Sequence, residues 1–187
     1  MKVSLSIVTY NNSNDINSLL ESLKSSECHH LFSDIYVIDN NSNDSTCDVV
    51  RGFQGFVKNI HLIQNVTNTG FGLAHNQAIL TAKSDYHVIC NPDIKFKDRS
   101  LENLIKHLET NHQIGLAAPK VVYPNGNIQL LNRRYPTVVD LAVQRIGKYV
   151  PSKIRESRTT RYLMKDCDYS KELDVTCLSG CFMVGRT

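Results

Sequence analysis

The chain has 187 residues, of which 41% are hydrophobic and 21% are charged, and its formal net charge is +3. These fractions are typical of globular proteins and exclude collagen-like, low-complexity and largely disordered classes. No apolar run approaches the roughly 18–20 residues of a membrane-spanning helix, and the N-terminus lacks the pattern of a secretory signal. The sequence therefore favours a soluble, intracellular protein of ordinary domain size.

The cysteine and histidine patterns do not indicate a metal centre. Six cysteines are scattered along the chain, and none belongs to a Cys-x-x-Cys pair. Cys177 and Cys181 are four residues apart, but no second Cys or His pair stands at zinc-ligand spacing. We expect reduced, mostly buried thiols, as in cytoplasmic proteins.

The first 120 residues alternate between predicted strands and predicted helices. Apolar runs predict buried strands at 5–10, 35–38, 60–63, 86–90 and 114–118. Apolar residues at helical spacing, together with glycine and polar capping residues, predict helices at 16–23, 45–53, 70–82 and 101–108.

Beyond residue 120 the pattern is less regular. Asn125-Gly126 between apolar residues predicts a β-hairpin near 121–131. A helix opened by Pro136 is predicted over 136–147, whereas 148–171 is polar and compatible with more than one structure. Residues 174–184 are expected to be sheet.

Alternating strands and helices predict an α/β fold with an open, mostly parallel, doubly wound sheet. Such sheets bind ligands at the carboxyl ends of their strands, near a topological switch point. Polar clusters at 9–14, 39–44 and 91–93 follow three predicted strands, so we expect them to meet at one edge of the sheet. The cleft there would contain two carboxylates, Asp39 and Asp93.

The common phosphate-binding glycine motifs are missing. Neither Gly-x-Gly-x-x-Gly after the first strand nor Gly-x-x-x-x-Gly-Lys-Ser/Thr occurs, so a dinucleotide dehydrogenase or a P-loop nucleotidase is not expected. A phosphate would then need a metal counter-charge. Asp93, on a proline-fixed turn two residues after Asn91, suits Mg²⁺ or Mn²⁺ shared with a diphosphate. Taken alone, Asn91-Pro92-Asp93 could equally be only a turn.

Two other motifs also allow two interpretations when each is taken alone. Asp39 could accept a hydrogen bond from a ribose hydroxyl or from the imide N–H of a base, or it could merely shape a turn before the next helix. Gly70-Phe71-Gly72, followed by His75-Asn76, could line a ligand pocket or simply begin an amphipathic helix.

Together, in this order and spacing, the motifs resemble the inverting family-2 glycosyltransferases with a GT-A fold. Similarity to rhamnosyltransferase-like members, which build bacterial O-antigen and related surface polysaccharides, is the most pronounced. The resemblance covers nearly all of the chain, is weakest over 137–172, and corresponds to the amino-terminal part of such proteins. The matching segments are 6–11, 37–42, 68–76, 91–93, 119–126 and 179–183.

The resemblance implies a donor-binding region over 1–120 and the start of an acceptor-side region over 121–187, within one continuous domain. Asp93 would match the last acid of the family's Asp-x-Asp metal motif, whose first acid is replaced here by Asn91, so one fewer charge would hold Mg²⁺ or Mn²⁺. Arg133 or Arg134 would face the diphosphate or the acceptor. The donor-binding residues implied by the match are Thr9, Tyr10, Asn11, Asp39, Asn41, Ser42, Asn68, Gly70, Phe71, Asn76, Asn91 and Asp93.

The implied reaction transfers a sugar, rhamnose being one candidate, from a dTDP- or UDP-sugar to a glycan or polyprenyl-diphosphate-linked acceptor with inversion. In the family the general base is the Asp of a Glu-Asp pair in a part that would follow residue 187. Asp166, Asp168, Glu172 and Asp174 lack its context. We therefore expect donor binding with weak or absent transfer. A non-catalytic nucleotide-sugar-binding fragment stays an alternative, and a sugar-nucleotide nucleotidyltransferase is disfavoured by the first loop.

The segment 145–165 is strongly basic. It contains seven Lys or Arg residues against Glu156, a net charge of +6. It could be a solvated surface, or it could approach anionic lipid, to which each basic group contributes about 1 kcal/mol. The second interpretation predicts a cytoplasmic protein held peripherally at the inner face of the plasma membrane. Nucleic acid is not an expected partner, because no stacking aromatics or RNA-binding motif accompany these charges.

Overall fold

The computed structural model describes residues 1–26, 28–57, 59–97, 99–146 and 149–187, the side chains of residues 28 and 144 excepted. They form two compact units. The first contains Met1–Pro119 and Gly180–Thr187, and the second contains Lys120–Ser179. The first unit is therefore discontinuous in sequence. The division into donor-binding and acceptor-side regions at residue 120 stays a prediction.

A six-stranded sheet organises the first unit, with the strand order β3-β2-β1-β4-β6-β5. The pairs β1–β2, β1–β4 and β2–β3 are parallel, whereas β6 is antiparallel to both β4 and β5. The mostly parallel sheet predicted from the sequence is confirmed. The strands are β1 (Val3–Thr9), β2 (Phe32–Asp39), β3 (Ile60–Gln64), β4 (Tyr86–Cys90), β5 (Leu116–Ala117) and β6 (Phe182–Arg186).

Four helices connect these strands, as the apolar periodicity predicted. One side of β1 packs against apolar stripes of α1 and α4, the stripe of α1 being Ile16, Leu19, Leu20 and Leu23. On the other face of the sheet, α3 places the small residues Ala74 and Ala78 over Ile38. The helices are α1 (Ser13–Ser25), α2 (Thr46–Gln54), α3 (Phe71–Thr81) and α4 (Ser100–Thr110), with a 3-10 turn at Cys28–Leu31.

The second unit contains the predicted hairpin and two helices, α5 (Val138–Ile146) and α6 (Ser152–Tyr162). The hairpin is short: Val122 and Ile128 form one antiparallel bridge around a turn at Gly126, whose φ is +86°. The helix predicted over 136–147 is observed as α5, and Gly147 lies outside the described residues. The segment 148–171, compatible with several structures, contains α6.

The prediction of sheet over 174–184 was wrong for its first part. The strand begins only at Phe182, and before it Cys177 makes a single bridge to Arg133. Alternating apolar residues favour an extended backbone, but a strand also needs a partner along its length. Residues 174–179 belong to the second unit, where this one bridge is the only strand-like pairing that they make within the described chain.

Asp140 joins the two helices of the second unit. Its carboxylate is almost fully buried and accepts hydrogen bonds from the Thr137 N–H (2.8 Å) and hydroxyl (2.7 Å). Arg161 and Arg158 of α6 lie 3.3 and 3.8 Å from it. These hydrogen bonds, and then the two guanidinium groups, lower the pKa of Asp140. Part of the basic charge of α6 is therefore compensated within its own unit.

A buried polar chain replaces part of the apolar core between the sheet and α3. Ser6 Oγ lies 2.7 Å from His75 Nδ1 and 2.8 Å from His87 Nε2. Ser4 Oγ lies 2.7 Å from His87 Nδ1 and 2.7 Å from Ser84 Oγ. Burial lowers the pKa of both histidines from 6.5 to about 4, and at His75 the neighbouring His87 lowers the pKa further. Both rings are therefore neutral at pH 7.

The described helices and cysteines bear on two expectations from composition. Within the described ranges, no helix is long and apolar enough to cross a membrane. Five cysteines are free thiols, namely Cys47, Cys90, Cys167, Cys177 and Cys181. The sixth cysteine, Cys28, has its side chain outside the described part of the chain. Cys47 and Cys90 are buried, whereas Cys167, Cys177 and Cys181 are only partly buried, so the expectation of mostly buried thiols was wrong for three of the five described cysteines.

The neutral histidines predict how stability depends on pH. Unfolding returns each pKa from about 4 to 6.5, so below pH 6.5 the unfolded chain takes up protons that the folded chain does not. The free energy of unfolding should fall between pH 8 and pH 5 by about 2 kcal/mol per histidine, and these two groups should cause no further loss below pH 4.

Urea unfolding at pH 8 and pH 5 measures this dependence. His75→Gln should remove about half of it, and His112→Gln, at an exposed histidine for which the described chain shows no ion pair, is the matched control. A free energy of unfolding that stays constant between the two pH values would contradict buried neutral rings.

Candidate functional site

The carboxyl ends of β1, β2 and β4 lie at one edge of the sheet. Thr9 at the end of β1 is paired with Asp39 at the end of β2, and Ile7 of β1 is paired with Cys90 at the end of β4. After β3 the chain crosses to the other side of β1 to form β4, so the strand order reverses at β1. The predicted polar segments therefore meet at a topological switch point, where such sheets bind ligands.

The centre of this edge is the buried carboxylate of Asp39, which is 1% exposed. Its Oδ1 accepts hydrogen bonds from the hydroxyls of Thr9 (3.2 Å) and Ser42. Its Oδ2 accepts the Ser42 N–H at 2.9 Å. Three donors from two loops thus fix the orientation of the carboxylate. The structure brings Thr9, Asp39 and Ser42 together, as the sequence predicted.

Asn11 joins the loop after β1 to the loop after β2. Asn11 (φ +54°) and Asn41 (φ +69°) both have left-handed backbone conformations. Asn adopts this region more readily than most residues. The Asn11 N–H donates to Ser42 Oγ at 2.8 Å, and Asn11 Oδ1 accepts the Asn43 N–H at 2.8 Å. Tyr10, which precedes Asn11, is half exposed. The two loops therefore form one connected surface.

Asn40 is a structural residue of this edge that the sequence analysis missed. It is buried, and its N–H donates to the Thr9 carbonyl at 2.8 Å. Its Oδ1 accepts from Asn65 (2.9 Å) and Thr69 (3.1 Å), and its Nδ2 donates to the Gly70 carbonyl at 3.4 Å. Asn40 thereby joins the ends of β1 and β3 to the start of α3. In the uninterrupted run of polar residues at 39–46, nothing distinguishes the asparagine whose side chain is buried.

The start of α3 forms another side of the edge. Gly70 has φ +79°, a conformation that favours glycine, and its N–H donates to Asn68 Oδ1 at 2.9 Å. Phe71 is half exposed, and its ring meets the His75 ring at a centroid distance of 4.4 Å. Asn76 lies on the exposed side of α3 and has no hydrogen bond to another described residue. The structure therefore joins Asn68, Gly70 and Phe71 to the edge, whereas the predicted contact of Asn76 with a donor stays a prediction.

Asn91 and Asp93 lie after β4, on the opposite side of β1 from Asp39. The Asn91 N–H donates to the Cys181 carbonyl at 2.9 Å, which ties this turn to the segment before β6. Asp93 is exposed. Burial raises the pKa of the Cys181 thiol, and the negative charge of Asp93 raises it further. Asp93 and Cys181 are therefore close neighbours.

Asp93 suits a divalent cation whose other ligands are mostly water and phosphate oxygens. Among the described residues, no group of three or more His, Cys, Asp or Glu could hold a metal, and no cation forms an ion pair with Asp93. Mg²⁺ commonly binds through one or two carboxylates together with water and phosphate oxygens. An exposed, unpaired carboxylate beside the amide of Asn91 suits such a site.

Arg133 and Arg134 belong to the second unit and are both engaged there. Arg134 Nη1 donates to both carboxylate oxygens of Asp166 at 2.8 Å. Arg133 donates to the carbonyls of Leu130 and Asn132, and its guanidinium lies 5.9 Å from the centre of the Tyr162 ring. Their predicted role towards a diphosphate or an acceptor stays a prediction.

Comparison with known proteins identifies the family. The sequence profile described as "Glycosyl transferase family 2" matches residues 4–187. The chain belongs to glycosyl transferase family 2. The family predicted from the motifs is therefore confirmed.

Known relatives of this family-2 chain include archaeal and bacterial glycosyltransferases. An uncharacterized glycosyltransferase of Methanocaldococcus jannaschii is 32% identical over 130 residues, which are 67% of this chain and 44% of the relative. The poly(ribitol-phosphate) beta-N-acetylglucosaminyltransferase TarS of Staphylococcus aureus is 28% identical over 170 residues, 90% of this chain and 29% of TarS. The family-2 chain thus spans less than half the length of both relatives.

Two solved structures share the fold. TarS residues 1–349 in complex with UDP-GlcNAc match with a TM-score of 0.59 and 25% identity, over 70% of this chain and 38% of that one. A mannosyltransferase from Pyrobaculum calidifontis in complex with GDP-Man and Mn²⁺ also has a TM-score of 0.59, at 23% identity, over 66% and 36% of the two chains. The expected GT-A-like fold is confirmed.

In this family-2 domain the contacts of Asn40 predict a specific loss of stability. Asn40→Ala leaves Asn65 and Thr69 without their acceptor, so the free energy of unfolding should fall by about 1–3 kcal/mol. Asn43→Ala, at an exposed neighbour, should change it by less than about 0.5 kcal/mol. Urea denaturation of both variants checks this, and equal losses would contradict the role assigned to Asn40.

Proposed function

We propose that this protein transfers a sugar from a nucleotide-sugar donor to a glycan acceptor in the synthesis of a bacterial surface polysaccharide. The donor would bind at the carboxyl edge of the sheet. The observation that carries the proposal is the placement of the oriented Asp39 carboxylate and the exposed Asp93 on either side of β1. Family membership supports the reaction class, and TarS and the mannosyltransferase support a nucleotide sugar as donor.

The Asp39 side of the edge is proposed to bind the nucleoside. A carboxylate accepts hydrogen bonds, and the imide N–H of uracil or thymine and the hydroxyls of ribose donate them. Thr9 and Ser42 hold the Asp39 carboxylate in one orientation, and because Asp39 is 1% exposed the neighbouring side chains would have to open for a nucleoside to reach it. Tyr10, Asn11 and Asn41 would border the same site. We favour a UDP- or dTDP-sugar on this basis, and TarS in complex with UDP-GlcNAc supports the uracil base.

The Asp93 side is proposed to bind the diphosphate together with Mg²⁺ or Mn²⁺. Asp93 would supply the one carboxylate ligand, and the neighbouring Asn91 a neutral amide oxygen. The bound ion would offset the negative charge that develops on the departing nucleoside diphosphate. The mannosyltransferase of similar fold contains Mn²⁺ with its nucleotide sugar, which supports a divalent ion here.

Transfer is proposed to occur with inversion. The acceptor hydroxyl would attack the anomeric carbon as the bond to the diphosphate breaks, and its proton would pass to a base. Asp166 and Asp168 are poor candidates for that base, because hydrogen bonds from Arg134 and Ser170, respectively, lower their pKa values. We assign no described residue as the base. Rhamnose as the sugar, and O-antigen or a polyprenyl-diphosphate-linked glycan as the acceptor, rest on the sequence resemblance alone.

Thermal unfolding with nucleotides tests the donor site. UDP, dTDP and GDP are each added with and without Mn²⁺. A nucleotide present at 100 times its dissociation constant should stabilise the fold by about 2.7 kcal/mol, a shift of a few degrees. We expect such a shift for at least one nucleotide, dependent on Mn²⁺ and lost in Asp93→Asn.

Asp48→Asn is the matched control, since Asp48 is an exposed acid on α2 that pairs only with Arg51 in the described chain. It should leave the nucleotide shift unchanged. A folded protein whose melting temperature is moved by none of the three nucleotides would overturn the proposed donor site.

We further propose that the protein is cytoplasmic and contacts the inner face of the plasma membrane through 145–165. In this segment Arg145, Lys153 and Lys165 have no ion pair with another described residue, whereas Arg158 and Arg161 face Asp140. Lys148 lies outside the described residues. The side chains of Ile146, Tyr149 and Ile154 are exposed among these charges. Basic groups beside exposed apolar ones favour the surface of an anionic bilayer.

Co-sedimentation with vesicles tests this contact. Removing two charges with Lys153→Gln and Lys165→Gln should weaken binding to phosphatidylserine-containing vesicles by about 2 kcal/mol, roughly 30-fold. The control pair, Lys95→Gln and Lys97→Gln, removes two exposed charges from the first unit and should bind as the unaltered protein does. Equal binding to uncharged phosphatidylcholine vesicles would refute the proposal.

A further inference from the structure

The buried polar chain under α3 ends at an atom without a partner. His75 is 2% exposed, and its Nδ1 is fixed on Ser6, but its Nε2 has no hydrogen-bond partner among the described residues. A buried polar atom of this kind destabilises a fold, and an apolar side chain at this position would avoid the loss. Core packing alone therefore does not explain this histidine.

The hydrogen bonds of the chain couple the two histidine rings. Ser6 has one hydroxyl proton but lies within hydrogen-bond distance of both rings. A neutral imidazole has one donor and one acceptor nitrogen. In one arrangement Ser6 donates its proton to His87 Nε2, and His75 Nδ1 then donates to Ser6 Oγ. In the other, His87 Nε2 donates to Ser6 Oγ, and Ser6 can then donate its proton to His75 Nδ1. In both arrangements a hydrogen bond holds the His75 ring in place.

The His75 ring supports the wall of the edge described above. It meets Phe71 one helical turn earlier, with the two rings at 66° to each other. On its other side the Phe71 ring is close to Gly180: a Cβ placed at Gly180 would lie 3.0 Å from Phe71 Cζ. Any larger residue at 180 would require the Phe71 ring to shift by a few tenths of an ångström. The next residue, Cys181, accepts the hydrogen bond from the Asn91 N–H.

These contacts form a continuous path from the middle of the sheet to the turn that bears Asp93. The path runs from His87 through Ser6 and His75 to Phe71, and from there to the segment before β6. We propose that His75 is a positioning residue of the donor site. Held by Ser6 and His87, its ring fixes Phe71 against Gly180, and Phe71 in turn shapes the wall beside the diphosphate. This inference rests on the proposed function, because the wall is one side of the proposed donor site.

Two serines on the same face of β1 provide a matched test. Ser6→Ala removes the hydroxyl that joins His75 to His87, whereas Ser4→Ala removes a hydroxyl that contacts His87 and Ser84 but not His75. Both residues are fully buried, so both variants should lose stability to a similar extent. The dissociation constants of UDP, dTDP and GDP with Mn²⁺ are measured for each by calorimetry.

We expect Ser6→Ala to weaken the nucleotide that binds the unaltered protein by tenfold or more, and Ser4→Ala to change it by less than twofold. Ser6→Thr keeps the hydroxyl and should recover most of the affinity. Phe71→Leu should weaken binding as well, and adding Ser6→Ala to it should cause no further loss, because both act through the same ring.

A spectroscopic measurement separates positioning from general stability. Nitrogen-15 spectra of the histidine rings distinguish the two neutral tautomers, and Ser6→Ala should alter the His75 signals while the exposed His61 stays unchanged.

The possible outcomes distinguish this inference from the proposed function. Equal weakening by Ser4→Ala and Ser6→Ala would mean a purely structural role and overturn the inference, as would a Ser6→Ala variant of unaltered affinity; in both cases the donor site stands. If the unaltered, folded protein binds none of the three nucleotides, the proposed function fails and the inference fails with it.

Discussion

The parallel pairing of β1 with both β2 and β4 is the constraint on which the rest of the structure depends. Parallel neighbours must be joined by crossover connections, so their carboxyl ends all lie at one edge. Val3, Leu5 and Ile7 of β1 are completely buried, which fixes the register of both pairings. Thr9, Asp39 and Asn91 are placed beside one another because the strands before them cannot slide.

Side chains, rather than regular backbone ladders, organise the loops at that edge. Asp39 joins the loops after β1 and β2, and Asn40 joins both to the start of α3. Both side chains are almost fully buried, so each hydrogen bond replaces one that water would otherwise provide. By contrast, Asp93 is exposed, as the proposed binding of a cation and a diphosphate requires. The edge thus combines a buried, hydrogen-bonded carboxylate on one side of β1 with an exposed carboxylate on the other.

Much of the fold could be predicted from the sequence, because apolar periodicity reports which face of an element is buried. The stripe of Ile16, Leu19, Leu20 and Leu23 predicted α1, and the uninterrupted apolar run around Val37 predicted β2. The predictions failed where the local structure depends on a partner that is distant in sequence. Residues 174–181 have an extended pattern, but only Phe182–Arg186 finds a strand, β4, to pair with. The role of Asn40 was missed for the same reason, since its partners are about 25 to 30 residues away.

The sequence by itself determined the family, the alternation of strands and helices, and the polar residues that follow β1, β2 and β4. These properties are local: they depend on residue type, spacing and periodicity along the chain. Only the tertiary structure decided that β6 runs antiparallel, that Asn40 points inward, and that Ser6 links His75 to His87. Those features depend on side chains far apart in sequence, which meet only when burial of the apolar strands brings them together.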